Sequence, residues 1–310
     1  MAEALRWKSK VLLAKIETVY GTDPTPTEAI LAKNVVCQPM EGEDVARDIE
    51  RPFRGAQEMF AVGLRAVLEF DVELVGSGTA GTAPAWSAIA RSCGLAEVVT
   101  PLTDVVYSPI SSAYESTTLY FWIGGNKQAI VGCRGTAVVN VNAQEIPTIR
   151  FTLTGLWAKP ALQATPAIDL AAFKTPLVAT DANTPVMTVG GASLVTRSFS
   201  FNLANDVQPR LLLGREEITI VDSNEEITAT VEAVALATFD PFDKANALAT
   251  VAVAVTHDTR AGHIVAIAAP TCSVRRPQGY ENDQGVLMWP LRLAPLPSDT
   301  GDDQFSITLT

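Results

Sequence analysis

The sequence predicts a mainly β protein: two tandem antiparallel β-sandwich domains, each with a short flanking α-helix, and an extended N-terminal arm. One order of elements occurs twice, namely an acidic antiparallel stretch, a long strand, a proline-started helix and further strands. Apolar and acidic residues alternate through Glu69–Leu74, as in a strand with one buried face. Turn signals such as Asn205-Asp206 separate the segments, which favours an antiparallel meander or sandwich.

The first copy begins with the acidic stretch Val35–Phe53 and the long strand Leu64–Val75. A helix is predicted over Pro84–Cys93, because a first-turn proline needs no N–H donor and apolar residues follow it at helical spacing. Gly94 suits the position just after the helix. The remaining strands of this copy are predicted near Thr117–Ile123, Ala129–Val141 and Thr148–Trp157.

The second copy begins with Ser198–Val221, followed by the strand Ile227–Leu236. Its helix is predicted over Pro241–Leu248, with Asp240 as the capping residue. Its remaining strands are predicted near Thr250–Thr256, His263–Ala268, Val286–Leu293 and Phe305–Leu309.

Proline-rich segments set the predicted domain boundaries. Residues 1–34 form an extended N-terminal arm, because Gly21–Pro26 excludes regular structure. At ~3.3 Å per residue such an arm reaches across a neighbouring subunit. Residues 35–158 form the first domain and 188–310 the second, joined by a Pro/Ala-rich linker at 159–187.

Composition limits the classes of function. The 310 residues are 47% hydrophobic and 18% charged, enough for two well-formed cores. Thirty-four acidic residues against 23 basic ones give a net charge of −11, which opposes binding of nucleic acid through counterion release. No apolar stretch approaches the ~20 residues that span a bilayer. The four cysteines form no CxxC pair, so we expect reduced thiols in a soluble protein made in the cytosol.

The sequence predicts no catalytic residue, no cofactor and no metal site. Gly76–Gly81 matches the dinucleotide motif GxGxxG, but the preceding strand alternates charged and apolar residues, whereas a dinucleotide-binding strand is buried on both faces. A nucleotide-dependent enzyme stays as an alternative. His257 and His263 are expected at the surface, near a hairpin around Arg260–Gly262.

The run Lys10–Pro24 resembles the start of major tail tube proteins of long, flexible-tailed bacteriophages. Arg91–Leu95, Gly132–Gly135 and Phe151–Trp157 are similar to segments of the same family. The resemblance implies two tandem tail-tube-type domains, each a β-sandwich or partly closed barrel with a flanking helix, and a structural virion protein that is made in the host cytoplasm. In that family, subunits form rings whose inner strands join into a barrel, and stacked rings conduct DNA without binding it specifically.

The resemblance also implies partners: further copies of the chain, tail terminator and tail tip proteins, and a tape measure protein in the lumen. A ring of three chains with pseudo-sixfold symmetry is favoured, with six chains as the alternative. A capsid-decorating or adhesin-like β-sandwich protein is the alternative function. Predicted inter-ring contacts are Lys10, Leu12, Lys15, Glu17, Tyr20, Pro24 and Pro26. Predicted lumen-lining residues, chosen as the acidic residues of the two antiparallel stretches, are Glu41, Glu43, Asp44, Asp48, Glu50, Asp206, Glu216 and Glu217.

Overall fold

A computed structural model describes residues 5–310, so the first four residues of the predicted arm lie outside the described part. Nearly all regular structure is β, which confirms the predicted class. The first half contains β1 Lys10–Ile16, β2 Lys33–Ala46, β3 Met59–Glu73, α1 Ser87–Arg91, β4 Leu95–Thr100, β5 Asp104–Pro109, β6 Thr117–Ile123, β7 Asn126–Asn142, β8 Thr148–Leu156 and β9 Ala161–Leu162. The second half contains β10 Val186–Val189, β11 Ala192–Ser193, β12 Thr196–Asn202, β13 Asn205–Leu212, β14 Arg215–Ser223, β15 Glu226–Glu232, α2 Pro241–Asn246, β16 Thr250–His257, β17 Val265–Val274, β18 Glu281–Asp283, β19 Val286–Pro295 and β20 Ser306–Leu309.

The antiparallel pairings of the first half run from β2 through β3, β8, β7 and β6 to β1. Strand β7 changes partner along its length. Its start, Asn126–Ile130, pairs with β6, and its later part, from Arg134 to Asn140, pairs with β8 beyond a register shift. A single long strand therefore links the two sheets that enclose the core of this half.

The second half repeats this order of pairings. Strand β12 pairs with β15, β15 with β19, β19 with β17, β17 with β16, and β16 with β10. A local irregularity also recurs: the Cys133 thiol donates to the Ile130 carbonyl at 3.3 Å, and the Cys272 thiol to the Ala269 carbonyl at 3.8 Å. Both lie at a register shift against the neighbouring strand, so the two copies can be aligned at these cysteines.

Two strand pairs join the halves. Strand β12 lies alongside the end of β7, with Phe199 opposite Val141 and Phe201 opposite Val139. Strand β20 pairs with β17 on one side and with β5 on the other, where Ile307 faces Tyr107. The sheets are therefore continuous from one half to the other.

One hydrophobic core extends through both halves. Its large aromatic side chains pair closely: the Phe70 and Phe151 ring centroids are 5.8 Å apart, and those of Phe201 and Phe305 are 4.7 Å apart. Because the inward residues of β3 and β12 belong to this core, the alternation read from the sequence assigns their buried faces correctly.

Several elements differ from the sequence predictions. The helices are shorter than expected, Ser87–Arg91 and Pro241–Asn246, because turns replace the outer residues. The Asp240 cap is confirmed, with its carboxylate accepting from the backbone N–H groups of Phe242 and Asp243. Within the predicted arm, β1 joins the sheet beside β6. Within the predicted linker, β9 pairs with β7.

Candidate functional site

The outer part of the β2–β3 hairpin, residues 38–63, projects from the body of the protein and is called here the first hairpin. Nearly all of its residues are exposed. Gly42 is required inside it, because a Cβ atom there would lie 2.6 Å from the Val62 carbonyl oxygen. The hairpin exposes apolar as well as acidic side chains, which is typical of a surface that binds a partner. Its exposed apolar residues are Met40, Val45, Phe53, Met59, Phe60 and Val62.

Five of the predicted lumen residues lie on the first hairpin. Glu41 is half-buried and pairs with Arg65 at 3.0 Å, so its charge is compensated within the chain. The other four, Glu43, Asp44, Asp48 and Glu50, are exposed. The structure therefore gathers the acidic residues on one projection, as the sequence indicated.

Strands β13 and β14 form a separate two-stranded hairpin, called here the second hairpin. At its tip Leu213 is fully exposed, and Leu212 is 56% exposed. It holds the other three predicted lumen residues. Asp206 and Glu216 are exposed, whereas Glu217 is half-buried and lies 2.5 Å from Arg215.

The base of the second hairpin is fixed to the first half of the chain. The Ile218 N–H donates to the Tyr20 hydroxyl at 2.6 Å, and the Arg134 guanidinium donates to the Ile218 carbonyl at 2.9 Å. The Asn205 side-chain amide donates to the carbonyls of Cys93 and Gly135. Burial raises the pKa of Tyr20 to about 12, so the hydroxyl stays protonated at neutral pH.

The predicted inter-ring residues lie in and after β1, and several contact this same chain. Leu12, Glu17 and Pro26 are buried. The remaining four, Lys10, Lys15, Tyr20 and Pro24, are half-buried. Lys10 donates to the Val35 carbonyl at 2.8 Å, and Lys15 lies 3.9 Å from Glu28. The contact of these residues with another ring stays a prediction.

The Glu17 carboxylate ties this segment to the sheet. It accepts hydrogen bonds from the Gly21 N–H and the Ser116 hydroxyl on one oxygen, at 2.7 and 2.6 Å. Its other oxygen accepts from the Thr118 hydroxyl and the Gly132 N–H, at 2.7 and 2.6 Å. A buried carboxylate with four donors is fully satisfied, so its role is to hold the chain after β1 in place.

Among the strands that keep one unpaired edge within the described residues 5–310 are β2 and β18, besides β4, β13 and β14. Strand β2 pairs with β3 alone, and β18 pairs with β19 alone. Beside the β2 edge lies an apolar groove with a cavity volume of about 310 Å³, whose walls include Trp7, Val35, Cys37 and Phe121. Burial raises the pKa of Cys37 to about 11, although the nearby Lys10 ammonium acts against this. Open edges of this kind invite pairing with another strand.

The expected surface position of His257 is wrong. The ring is buried, 3.1 Å from the Thr184 hydroxyl and 3.2 Å from the Leu177 carbonyl. Burial also lowers its pKa. The residues that precede β10 cover it, and sequence spacing gives no sign of such a distant contact.

The glycine-rich segment Gly76–Gly81 packs against Gly262. The Gly78 N–H donates to the Gly262 carbonyl at 2.9 Å, and a Cβ atom on Gly76 would lie 2.3 Å from that oxygen. These glycines allow two backbones to approach closely. Across residues 5–310, no cluster of His, Cys, Asp or Glu has a geometry that could hold a metal ion, and no helix is long and apolar enough to cross a membrane.

The exposed apolar residues of the two hairpins were not predicted as functional candidates. Their signal is visible in the sequence, because apolar residues occur on both faces of a segment that is otherwise acidic. A strand with one buried face carries them on alternate positions only.

Comparison with known families is consistent with this arrangement. A family model described as phage tail tube protein matches residues 7–310. No curated protein matches the chain.

Proposed function

Because the chain belongs to the phage tail tube protein family, we propose that it is a structural subunit whose rings stack around a negatively charged channel for DNA. The observation that carries this proposal is the repeated order of strand pairing in a sheet in which β2 and β18 each keep one unpaired edge. Identical head-to-tail contacts close into a ring when the rotation allows.

A ring of three chains is favoured. In this proposal residues 35–158 and 188–310 act as two tube domains, so three chains supply six similar units. The support is the set of pairings shared by β2, β3, β8, β7 and β6 with β12, β15, β19, β17 and β16. Axial partners at the two ends of the tube, and a tape measure protein inside it, follow from the same proposal.

The two hairpins are proposed as the surfaces that meet the channel or the next ring. Exposed acidic residues such as Glu43, Asp44 and Glu216 would repel DNA phosphates, so that DNA passes without adhering. The exposed apolar residues of the same hairpins would be covered by neighbouring subunits.

The segment around β1 is proposed to touch the adjacent ring through its half-buried residues, of which Lys15 is the most accessible to a designed change. Charge reversal in Lys15→Glu should shorten the tubes without disrupting single rings. The control is Lys159→Glu, an exposed lysine outside this segment, which should leave tube length unchanged.

Electron microscopy of the purified, concentrated protein tests the main proposal. Rings and tubes are expected, with a mass per ring of three chains and the acidic hairpin residues facing the bore. A discrete, non-stacking oligomer would favour a capsid-decorating or adhesin-like protein instead. Tubes whose hairpins lie on the outer surface would refute the assignment of the channel lining.

A further inference from the structure

We infer that the β2 edge of one chain pairs antiparallel with the β18 edge of a second copy, with Cys37 opposite Tyr280. This inference rests on the proposed function and adds to it the two strands and the register of the contact. The seam inside the chain, where β7 pairs with β12, supplies the template.

The unpaired edges of β2 and β18 match the two sides of a second such seam. In the internal seam, β12 pairs with β15 on one side and with β7 on the other. Strand β2 holds the position of β12 in the first copy, but it pairs with β3 only. Strand β18 extends β17 along β19, as the end of β7 extends along β8, and its outer edge is free within the described chain.

The shared pairings fix which residues correspond. In the second half, Phe201 pairs with Ile227, which pairs with Leu293. In the first half, Cys37 pairs with Leu68, which pairs with Leu153. Leu293 and Leu153 in turn face Val274 and Gly135, each two residues beyond the equivalent cysteines 272 and 133. Cys37 therefore corresponds to Phe201.

The partner strand is aligned in the same way. Asn140 faces Thr148 in the first copy, and Glu281 faces Met288 in the second. Because Thr148 and Met288 precede the equivalent leucines by the same number of residues, Glu281 corresponds to Asn140 and Tyr280 to Val139. Val139 faces Phe201 in the internal seam, so Tyr280 faces Cys37 between chains.

Backbone directions agree with this register. In the internal seam the Leu203 N–H donates to the Ala137 carbonyl of β7. The backbone N–H and C=O groups of Phe201 and Phe199 therefore also point toward β7. The backbone N–H and C=O groups of their counterparts, Cys37 and Val35, therefore point toward the unpaired edge of β2. Lys10 occupies one lone pair of the Val35 carbonyl, and the second lone pair is available to a neighbour.

Side chains at the contact also agree. Directly opposite residues of antiparallel strands point to the same face, so Tyr280 would lie over the apolar groove beside Cys37. Tyr280 is 64% exposed in the single chain, and its ring lies 6.3 Å from that of the exposed Phe242. The contact would bury an aromatic side chain that the isolated chain leaves in water.

Disulfide trapping in assembled tubes tests the register. Directly opposite residues have Cα atoms about 5.5 Å apart, within the range a disulfide spans. Tyr280→Cys should link to native Cys37 under copper-phenanthroline oxidation and give dimers and a closed ring on non-reducing gels. The other native cysteines are buried, so unmodified tubes should stay unlinked.

Two controls separate register from proximity. Adding Cys37→Ser to Tyr280→Cys should abolish the link. Asn282→Cys lies opposite Val35 and diagonal to Cys37, at about 7–8 Å, so it should link about tenfold less. If Tyr280→Cys prevents assembly, the set Val35→Cys, Asn282→Cys and Cys37→Ser keeps Tyr280 and should link instead.

The outcomes distinguish this inference from the function on which it rests. Intact tubes in which neither the Tyr280→Cys set nor the Val35→Cys set links would overturn the seam and leave the tube proposal standing. Equal linking through Tyr280→Cys and Asn282→Cys would overturn the register. A protein that forms no ring at concentrations suited to microscopy would overturn both.

Discussion

Replacing Glu17 with alanine should strongly destabilise the protein. The variant leaves the buried N–H group of Gly132, the half-buried N–H group of Gly21 and two hydroxyls without their acceptor. A buried N–H left without a partner costs about 1–3 kcal/mol, and the Gly21 N–H, which water partly reaches, adds about 1 kcal/mol, so the predicted loss in the free energy of unfolding is about 2–4 kcal/mol. The hydroxyls add less, because they can rotate toward other acceptors.

Urea unfolding of dilute protein, followed by fluorescence, measures this loss as a lower midpoint at unchanged slope. Glu17→Gln should lose less, about 1–3 kcal/mol, because one amide oxygen still accepts while the amide nitrogen faces a backbone donor. Glu28→Gln is the matched control on the same segment. Its carboxylate is exposed and 3.9 Å from Lys15, so a change within about 0.5 kcal/mol is expected. Equal midpoints for Glu17→Ala and Glu28→Gln would refute the role assigned to Glu17.

Two further predictions concern the body of the protein. Burial raises the pKa of Asp258, but hydrogen bonds from Arg260 and Thr259 outweigh it and lower the pKa to about 2, below the unfolded value of about 3.9. The associated stability is present above pH ~4 and is lost as the pH falls toward 2, so wild-type protein should lose more stability over that range than Asp258→Asn; parallel acid-unfolding curves would contradict this. Gly76→Ala should lower the free energy of unfolding by about 1–3 kcal/mol, measured as a lower thermal midpoint, because its Cβ meets the Gly262 carbonyl. Gly55→Ala is the control, since open space surrounds Gly55 and no loss is expected. Equal midpoints for the two variants would show that the loop at Gly76 adjusts without cost.

Local patterns in the sequence predicted the local structure well. The strand predicted over Thr117–Ile123 has those bounds in the structure, and the Asp240 cap forms as its residue type predicts. Alternation through Glu69–Leu74 correctly indicated which side chains of β3 are buried. These features depend on residues close in sequence, which a periodic pattern records directly.

Features set by distant contacts were missed. The β4–β5 hairpin was not predicted; Pro101 lies in the turn between its two strands. Strand β1 was interpreted as part of an arm, since a short apolar run followed by prolines does not reveal its pairing with β6. The acidic residues of the candidate site were found as a group, but their separation into paired and free carboxylates depends on Arg65 and Arg215.

The insertion of β20 between β5 and β17 has a consequence for biosynthesis. Tyr107 lies between Glu97 of β4 and Ile307 of β20, so the sheet of the first half is not complete until Ser306–Leu309 has been synthesised. Until then, the edges of β5 and β17 that β20 occupies are unpaired, and unpaired strand edges favour aggregation with other chains. Formation of the complete sheet therefore depends on a contact between segments far apart in the sequence, which is the kind of contact that slows folding.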